Sequence, residues 1–172
     1  VNAFEEAFIT GRVKWHPFFE SALAGGGFTV GAGYRQHVSS YNSVDFRGSI
    51  TPSGYKRVEV EFLAPRALQR RGVLSVVGGW RDATEVGFYG FGTAPTSADD
   101  RANYSFTQTY ASASLRLLPT RKWLVLGGGL EVSEWRQGSG SGTAPSVDEI
   151  YTPEELPGLG SSPVYVQAFA TV

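Results

Sequence analysis

The 172-residue chain contains no cysteine and no methionine. The lack of cysteine excludes disulfides, a thiol nucleophile and thiolate metal sites. The chain also lacks any apolar run of about 18 residues, which excludes a membrane-spanning helix. Its mean hydropathy of -0.15 does not exclude a membrane β-barrel, because strands that alternate apolar with polar residues look soluble on average.

An excess of positive charge is missing as well. Lysine and arginine total 15 against 16 aspartates and glutamates, which leaves a formal net charge of -1. Binding to a phosphate backbone requires a basic patch that can displace counterions. We therefore predict no nucleic-acid partner.

Histidine is scarce, since only His16 and His37 occur. A single histidine on a strand is usually a structural hydrogen-bonding residue. Ser39, Ser40 and Asp45 lie near His37 in the sequence, but hydroxyls and acids are common in loops and strands of this composition. We predict no catalytic residues, no bound metal and no cofactor, and the chain is not expected to be an enzyme.

The chain is rich in glycine and aromatic residues, with 22 Gly, 4 Trp, 8 Tyr and 11 Phe. Residues 45–64 show the main pattern, because apolar Val58 and Val60 alternate there with charged Arg57 and Glu59. Strict alternation predicts a strand with two different faces. A Pro-Ser-Gly sequence in the middle of this stretch predicts a turn, so the stretch is a β-hairpin.

The same alternation recurs along the chain and predicts about seven strands within residues 25–172, after a lead-in segment at 1–24. No convincing helix is predicted. Long connections at 92–103 and 138–162 alternate with short ones, as in outer-membrane barrels, although the short 52–54 turn falls on the long-loop side. The predicted fold is all-β: an antiparallel up-and-down transmembrane β-barrel, or the N-terminal half of one.

The orientation of the two faces depends on what surrounds the sheet. A soluble barrel turns its aliphatic face inward, and a membrane barrel turns it toward lipid. Arginine far outnumbers lysine on the charged face, which favours a crowded, hydrated lumen with neutralising partners. The predicted lumen-facing charged network is Arg35, Asp45, Arg47, Arg57, Glu59, Glu61, Arg81, Arg116 and Glu131.

The opposite face is predicted to contact lipid. Its members are short-chained and repetitive, and they need no interdigitating partner: Phe28, Val30, Phe46, Ile50, Val58, Val60, Phe62, Leu74, Val76, Leu124, Leu126 and Leu130. Aromatic residues near strand ends are typical of the belts at a membrane–water boundary. The predicted belt is Trp80, Phe88, Tyr89, Trp123 and Trp135.

The sequence begins with Val1, has no recognisable signal peptide, and stops inside an expected strand. These features predict a fragment. An incomplete barrel needs the rest of its own barrel, or another chain, to close the sheet.

Five segments, in order, carry a resemblance to a known family. Residues 87–104 (GFYGFGTAPTSADDRANY) contain the Phe-Tyr-Gly-x-Gly end of one strand, a loop rich in serine and acidic residues, and the Asn-Tyr start of the next strand. The others are GFTVGAGYR at 27–35, GYKRVEVEFLAP at 54–65, LPTRKWLVLGGG at 118–129 and DEIYTPEELPGLG at 148–160. Together they resemble the bacterial surface antigen family, the barrel domain of the outer-membrane assembly-factor superfamily, over residues 16–172.

The resemblance implies the first half of a many-stranded antiparallel barrel in the bacterial outer membrane, acting in the insertion or transport of outer-membrane components. The implied partners are outer-membrane lipid and client outer-membrane proteins. Strand pairing at an openable seam is the implied mechanism, with the Gly-rich strand at 27–37 as the seam if it is the first strand. The family's periplasmic repeats and lumen-loop Arg-Gly-Phe/Tyr motif do not occur in the chain.

Two alternatives stay open on the residues alone. The charged face lines a channel if the barrel is a passive pore or a structural barrel. With the faces inverted, the chain is a soluble ligand-binding β-barrel.

Overall fold

The structure is a computed structural model, and it describes residues 14–20, 28–90, 101–117, 125–156 and 158–172. Eight strands form one sheet in sequence order, and every neighbouring pair is antiparallel. The strands are β1 (Trp15–Glu20), β2 (Thr29–His37), β3 (Ser43–Ile50), β4 (Lys56–Arg66), β5 (Gly72–Phe88), β6 (Ala102–Leu117), β7 (Leu126–Ser139) and β8 (Val164–Thr171). The predicted all-β, antiparallel, up-and-down architecture is confirmed.

The sheet does not close on itself within the described part of the chain. Strands β1 and β8 each pair with one described neighbour, which leaves two free edges. An open sheet of this topology is consistent with part of a barrel. The eighth strand is β1, which lies within the predicted lead-in segment at 1–24.

The seam prediction needs a correction that follows from β1. Because β1 precedes β2, the Gly-rich strand predicted at 27–37 is not the first strand, and β2 pairs with both β1 and β3. Its backbone groups are therefore engaged on both sides. Among the described strands, free edges belong to β1 and β8 alone.

Among the described residues, helix is limited to two short segments, α1 (Ala67–Arg70) and α2 (Val147–Ile150). In α1 the φ angles of Leu68, Gln69 and Arg70 are 50°, 57° and 71°, so this connection between β4 and β5 is a left-handed turn. In the described residues, no helix has the length and apolarity to cross a bilayer.

The connections lie at two ends of the sheet. The turn at 51–55, the end of β5, the start of β6 and the 140–163 loop share one end, which we call the loop end. The turns at 38–42 and 67–71 lie at the opposite end, the turn end. The two longest connections therefore emerge together, while the short 51–55 turn shares their end, as the sequence predicted.

The small apolar core lies at the loop end. Tyr55, Ala83 and Phe106 are buried there, and Val86, Tyr104 and Trp135 pack against them. Beta-strands β5 and β6 extend past their shorter neighbours to supply most of this cluster.

Candidate functional site

The register places all nine predicted lumen residues on one face, which we call the polar face. One cross-strand row on this face runs through Arg35, Asp45, Glu61, Val77, Ser112 and Glu131. Asp45 and Glu59 are only 4% and 6% exposed. A carboxylate buried to this degree requires charged or hydrogen-bonding partners.

Glu59 is the centre of the network. Its carboxylate lies 2.6 Å from the Arg57 guanidinium and 3.4 Å from that of Arg47. Arg47 also reaches Glu61, at 3.2 Å, and Glu61 accepts a 2.9 Å hydrogen bond from the Ser75 hydroxyl. The charges on β3 and β4 thus neutralise one another on the sheet itself, as the sequence predicted for this hairpin.

Tyr110 on β6 also belongs to this centre. Its hydroxyl donates a hydrogen bond to Glu59 on β4, although β5 lies between the two strands. Gly79 of β5 makes this possible, because a Cβ there would lie 2.5 Å from the Tyr110 ring and hydroxyl and 3.0 Å from Glu59 Cγ. Two strand spacings separate β4 from β6, about 10 Å, and only a long side chain passing over a bare backbone can bridge them.

A second cluster ties β1 to β3. Asp45 accepts a 2.7 Å bond from Arg35, and its other carboxylate oxygen lies 3.6 Å from His16 Nε2. The imidazole lies directly over Gly33, where a Cβ would come within 2.4 Å of it. His16 is therefore a polar-face residue that the sequence, which treated 1–24 as a lead-in, did not assign to the network.

No carboxylate of the described residues contacts Arg81 directly. Its Nε donates a hydrogen bond to Gln108, and the guanidinium lies 5.8 Å from the Tyr110 ring and 5.3 Å from the Trp135 ring. These distances allow cation–π attraction. Gln108 is itself buried, so an amide and two aromatic rings surround part of this half-buried cation.

Besides Arg81, two of the predicted residues lie outside the two ion-pair clusters. Arg116 is exposed near the turn end, and in the described part of the chain it forms no ion pair. Glu131 is half-buried on β7 and makes no direct ion pair with a described residue. The structure therefore brings six of the nine predicted charged residues into ion pairs, in two clusters. Arg81 is linked to the Glu59 centre through the Tyr110 ring.

The face opposite the charges, the apolar face, is largely open. Among its predicted members, Phe28, Val30, Phe46, Ile50, Val58, Val60, Val76, Leu126 and Leu130 are exposed, and Phe62 and Leu74 are half-buried. Leu124 lies outside the described residues. Val58 and Leu130 each expose 58% of their surface, so no described part of the chain covers the apolar side chains at these positions.

The predicted aromatic belt is corrected at two positions. A bulge in β5 between Ala83 and Val86 shifts the alternation by one residue, which moves Phe88 onto the polar-face side. There Phe88 contacts Tyr151 edge-to-face, with ring centroids 5.6 Å apart. Trp135 pairs with Gln108 across the ladder and packs on Phe106, 4.9 Å between centroids, also on the polar face.

The structure describes two of the remaining predicted belt residues. Trp80 lies on the apolar face between Val58 and Thr109, and Tyr89 is exposed beside Gly87. Trp123 lies outside the described residues.

Sequence reasoning missed Tyr110, Gln108 and Ser75 as members of the network. The signal for their face was present, because each alternates in step with a charged neighbour, Arg116 or Arg81. Their hydrogen-bond partners were not predictable from spacing, since Tyr110 and Glu59 are 51 residues apart.

Searches of protein-family models, of curated proteins and of solved structures found no match to this chain.

Proposed function

We propose that this chain forms part of the wall of a β-barrel in the bacterial outer membrane, with its apolar face toward lipid. One observation carries the proposal: the sheet buries its charges and exposes its aliphatic side chains. Asp45 and Glu59 are almost fully buried, while Val58 and Leu130 are more than half exposed. Soluble sheets have the opposite arrangement, and large exposed apolar surfaces mark a membrane or protein contact.

The dimensions of the apolar face support the lipid assignment. On β4 the apolar positions are bounded by Lys56 and Arg66, which are ten steps apart (66 − 56). Ten steps span about 33 Å along a strand, and a tilt of about 40° reduces this to a height of about 25 Å. That height equals the apolar band of outer-membrane barrels.

The boundary of the apolar band nearest the loop end follows a cross-strand row. Lys56 pairs with Asp82, Asp82 with Thr107, and Thr107 with Arg136, all on the apolar face. On β5, Trp80 lies two residues from Asp82 toward the turn end, and Gly78 lies two residues beyond Trp80. The row that contains Gly78 consists of Val60, Gly78, Ala111 and Val132. Polarity thus changes within two residues on β4 and β5, and within four on β6 and β7, where Thr109 and Glu134 lie between the two rows. A change over so short a distance is expected at a membrane–water boundary.

Within this setting, we assign the chain to the assembly or translocation of outer-membrane components. The support is the family resemblance of five segments, together with the free edges of β1 and β8. A free edge presents unpaired N–H and C=O groups to which an incoming strand can add. An incoming strand would add at such an edge of the complete barrel, and client outer-membrane proteins would be the partners.

The lipid assignment is tested by Leu130→Arg, compared with Val38→Arg in the turn at 38–42. The two side chains are exposed to nearly the same extent, 58% and 57%. Leu130 lies near the middle of the band, so its replacement should lower the free energy of unfolding in liposomes by about 2–4 kcal/mol. Val38→Arg should change it by less than about 0.5 kcal/mol. Equal tolerance of both substitutions would contradict the lipid assignment and favour the soluble alternative.

The assembly role requires a separate experiment. Purified protein in liposomes should accelerate the folding of an added, urea-denatured outer-membrane barrel, followed by the gel shift of the folded form. Liposomes containing an unrelated barrel are the control. If the folding rates are the same in both, the chain remains a membrane wall but the assembly role is excluded, and the passive pore or structural barrel replaces it.

A further inference from the structure

The loop that follows β7 does not extend away from the sheet but folds back onto it. The backbone N–H and the hydroxyl of Ser141 both donate to the Thr84 carbonyl, at 2.9 Å each. The Asn103 N–H donates to the Pro145 carbonyl at 2.9 Å, and Asn103 and Ser146 form a parallel bridge. This segment therefore adds to the ends of β5 and β6 much as a short strand would.

Asn103 connects the sheet to the returning loop through its side chain as well. It is 0% exposed. Its amide nitrogen donates to the Ser141 carbonyl at 3.0 Å and to Glu85 at 3.4 Å, and its amide oxygen accepts from Arg101 at 3.1 Å. A buried amide that is bonded on both its nitrogen and its oxygen stabilises one arrangement and makes every alternative costly.

Two glycines allow this close approach. A Cβ on Gly140 would lie 2.3 Å from the Asn103 carbonyl carbon, so this part of the loop rests on the β6 backbone. Gly142 has a φ of +106°, and a Cβ there would lie 2.6 Å from the Glu85 carboxyl group. A side chain at either position would push the loop away from the sheet.

The returning loop covers the polar face at the loop end. Val147 of α2 is 2% exposed. Together with Leu156, it lines a cavity of about 170 Å³ whose other walls include Phe88 and Tyr104. Tyr104 packs in turn on the aromatic core below. Helix α2 begins with a capping box formed by Ser146 and Glu149.

We propose that residues 140–156 form a lid, held shut by Asn103, that controls access to the polar face from the loop end. This proposal depends on the proposed function in one respect, because it treats the polar face as the lumen of a barrel. Transport through that lumen would require the lid to detach from the ends of β5 and β6. The contacts that must break are confined to residues 140–151, because the last of them joins the Tyr151 ring to Phe88.

Because the chain has no cysteine, single thiols can report on the lid. Val147→Cys places a thiol on the buried side of the lid. Ile150→Cys is the matched control, because Ile150 lies on the same short helix but is 48% exposed. In detergent micelles, a maleimide should label the Val147→Cys thiol at least about tenfold more slowly than the Ile150→Cys thiol. Asn103→Ala should raise the Val147→Cys labelling rate about tenfold, the effect of losing one buried hydrogen-bonded amide, and leave Ile150→Cys unchanged.

A second variant separates lid release from unfolding of the sheet. Gly142→Val acts from the loop side, by contact with Glu85, and leaves the strands intact; it should raise the Val147→Cys labelling rate at least as much as Asn103→Ala. Equal labelling of the two thiols without any release variant overturns the lid. So does failure of Gly142→Val to accelerate labelling. Since the measurement needs no bilayer, its failure and that of the lipid test are distinguishable.

Discussion

The hydroxyl of Tyr110 donates a hydrogen bond to the Glu59 carboxylate over the bare backbone of Gly79. Three consecutive strands thus contribute to one contact. Strand β4 supplies the carboxylate, β6 supplies the phenol, and β5 leaves room for it because Gly79 has no side chain. The same carboxylate holds Arg57 and Arg47. The contact joins the ion pairs of the first half of the sheet to the aromatic residues of the second half, and so it determines how the polar face is packed.

The gap at Gly79 is testable with a single methyl group. Gly79→Ala should destabilise the protein by about 1–3 kcal/mol, the usual cost of overpacking a filled site. Gly78→Ala is the matched control, because a Cβ at Gly78 meets only Val60 Cγ1, at 3.8 Å. Urea unfolding in micelles measures both. Similar midpoints for the two variants would show that Tyr110 does not occupy the space above Gly79.

The hydrogen bond itself is tested by Tyr110→Phe. Losing a donor to a buried carboxylate should cost about 1.5–3 kcal/mol of unfolding free energy, the range for hydrogen bonds to charged groups. Tyr165→Phe is the comparison, since Tyr165 is exposed on β8 in the same cross-strand row. We expect a change below about 0.5 kcal/mol there. An equal effect of both substitutions would contradict the contact.

Arg47 bridges two acids and should therefore matter more than an arginine outside the ion-pair cluster. Arg47→Gln leaves Glu59 and Glu61 short of one cation and should cost about 1–3 kcal/mol, less than for a fully buried pair because Arg47 is partly solvated. Arg116→Gln should change the unfolding free energy by less than about 0.5 kcal/mol. Denaturant titration of the two variants side by side decides, and a larger loss for Arg116→Gln would refute the assignment of the network centre.

The lid should respond to acid through Asp148, which lies outside the strands. Hydrogen bonds from the Ser146 and Ser139 hydroxyls, the latter at 2.7 Å, hold the pKa of Asp148 below its usual range. A depressed folded-state pKa means that the ionised carboxylate favours the closed lid above the ordinary Asp pKa of about 3.9. This contribution is lost as pH falls through the lower folded-state value.

Hydrogen exchange of the amides in residues 146–151 measures this effect. Protection, corrected for the intrinsic exchange rate, should decrease as pH falls below about 4. In Asp148→Asn the decrease should be absent, because the carboxamide does not titrate. The same decrease in the variant would assign the acid sensitivity to another group.

Much of the fold was predictable because a strand reverses its side chains at every residue. The alternation of Val58, Glu59 and Val60 is enough to separate two faces without any knowledge of the partner strands. The nine charged residues on one face and the aliphatic residues on the other follow from that periodicity alone.

The aromatic residues were less predictable, since their position depends on local irregularity. The bulge between Ala83 and Val86 reverses the alternation in β5, so a count by twos places Phe88 on the wrong face. Strand β1 was missed because its alternation, with Trp15, Pro17 and Phe19 on the apolar face, covers only five residues. Its proline also argued against a strand. The predicted seam at 27–37 was wrong because β1, which precedes that strand, was missed.

The sequence by itself determined the all-β class, the two-faced strands and the sharp division between charged and aliphatic surfaces, because these depend on a repeat of two residues along the chain. Tertiary structure alone decided that Tyr110 reaches Glu59 over Gly79, that Trp135 lies under Arg81, and that the 140–156 lid closes on Asn103. Those contacts join residues far apart in the chain, and they depend on strand register, a bulge and missing glycine side chains, none of which periodicity encodes.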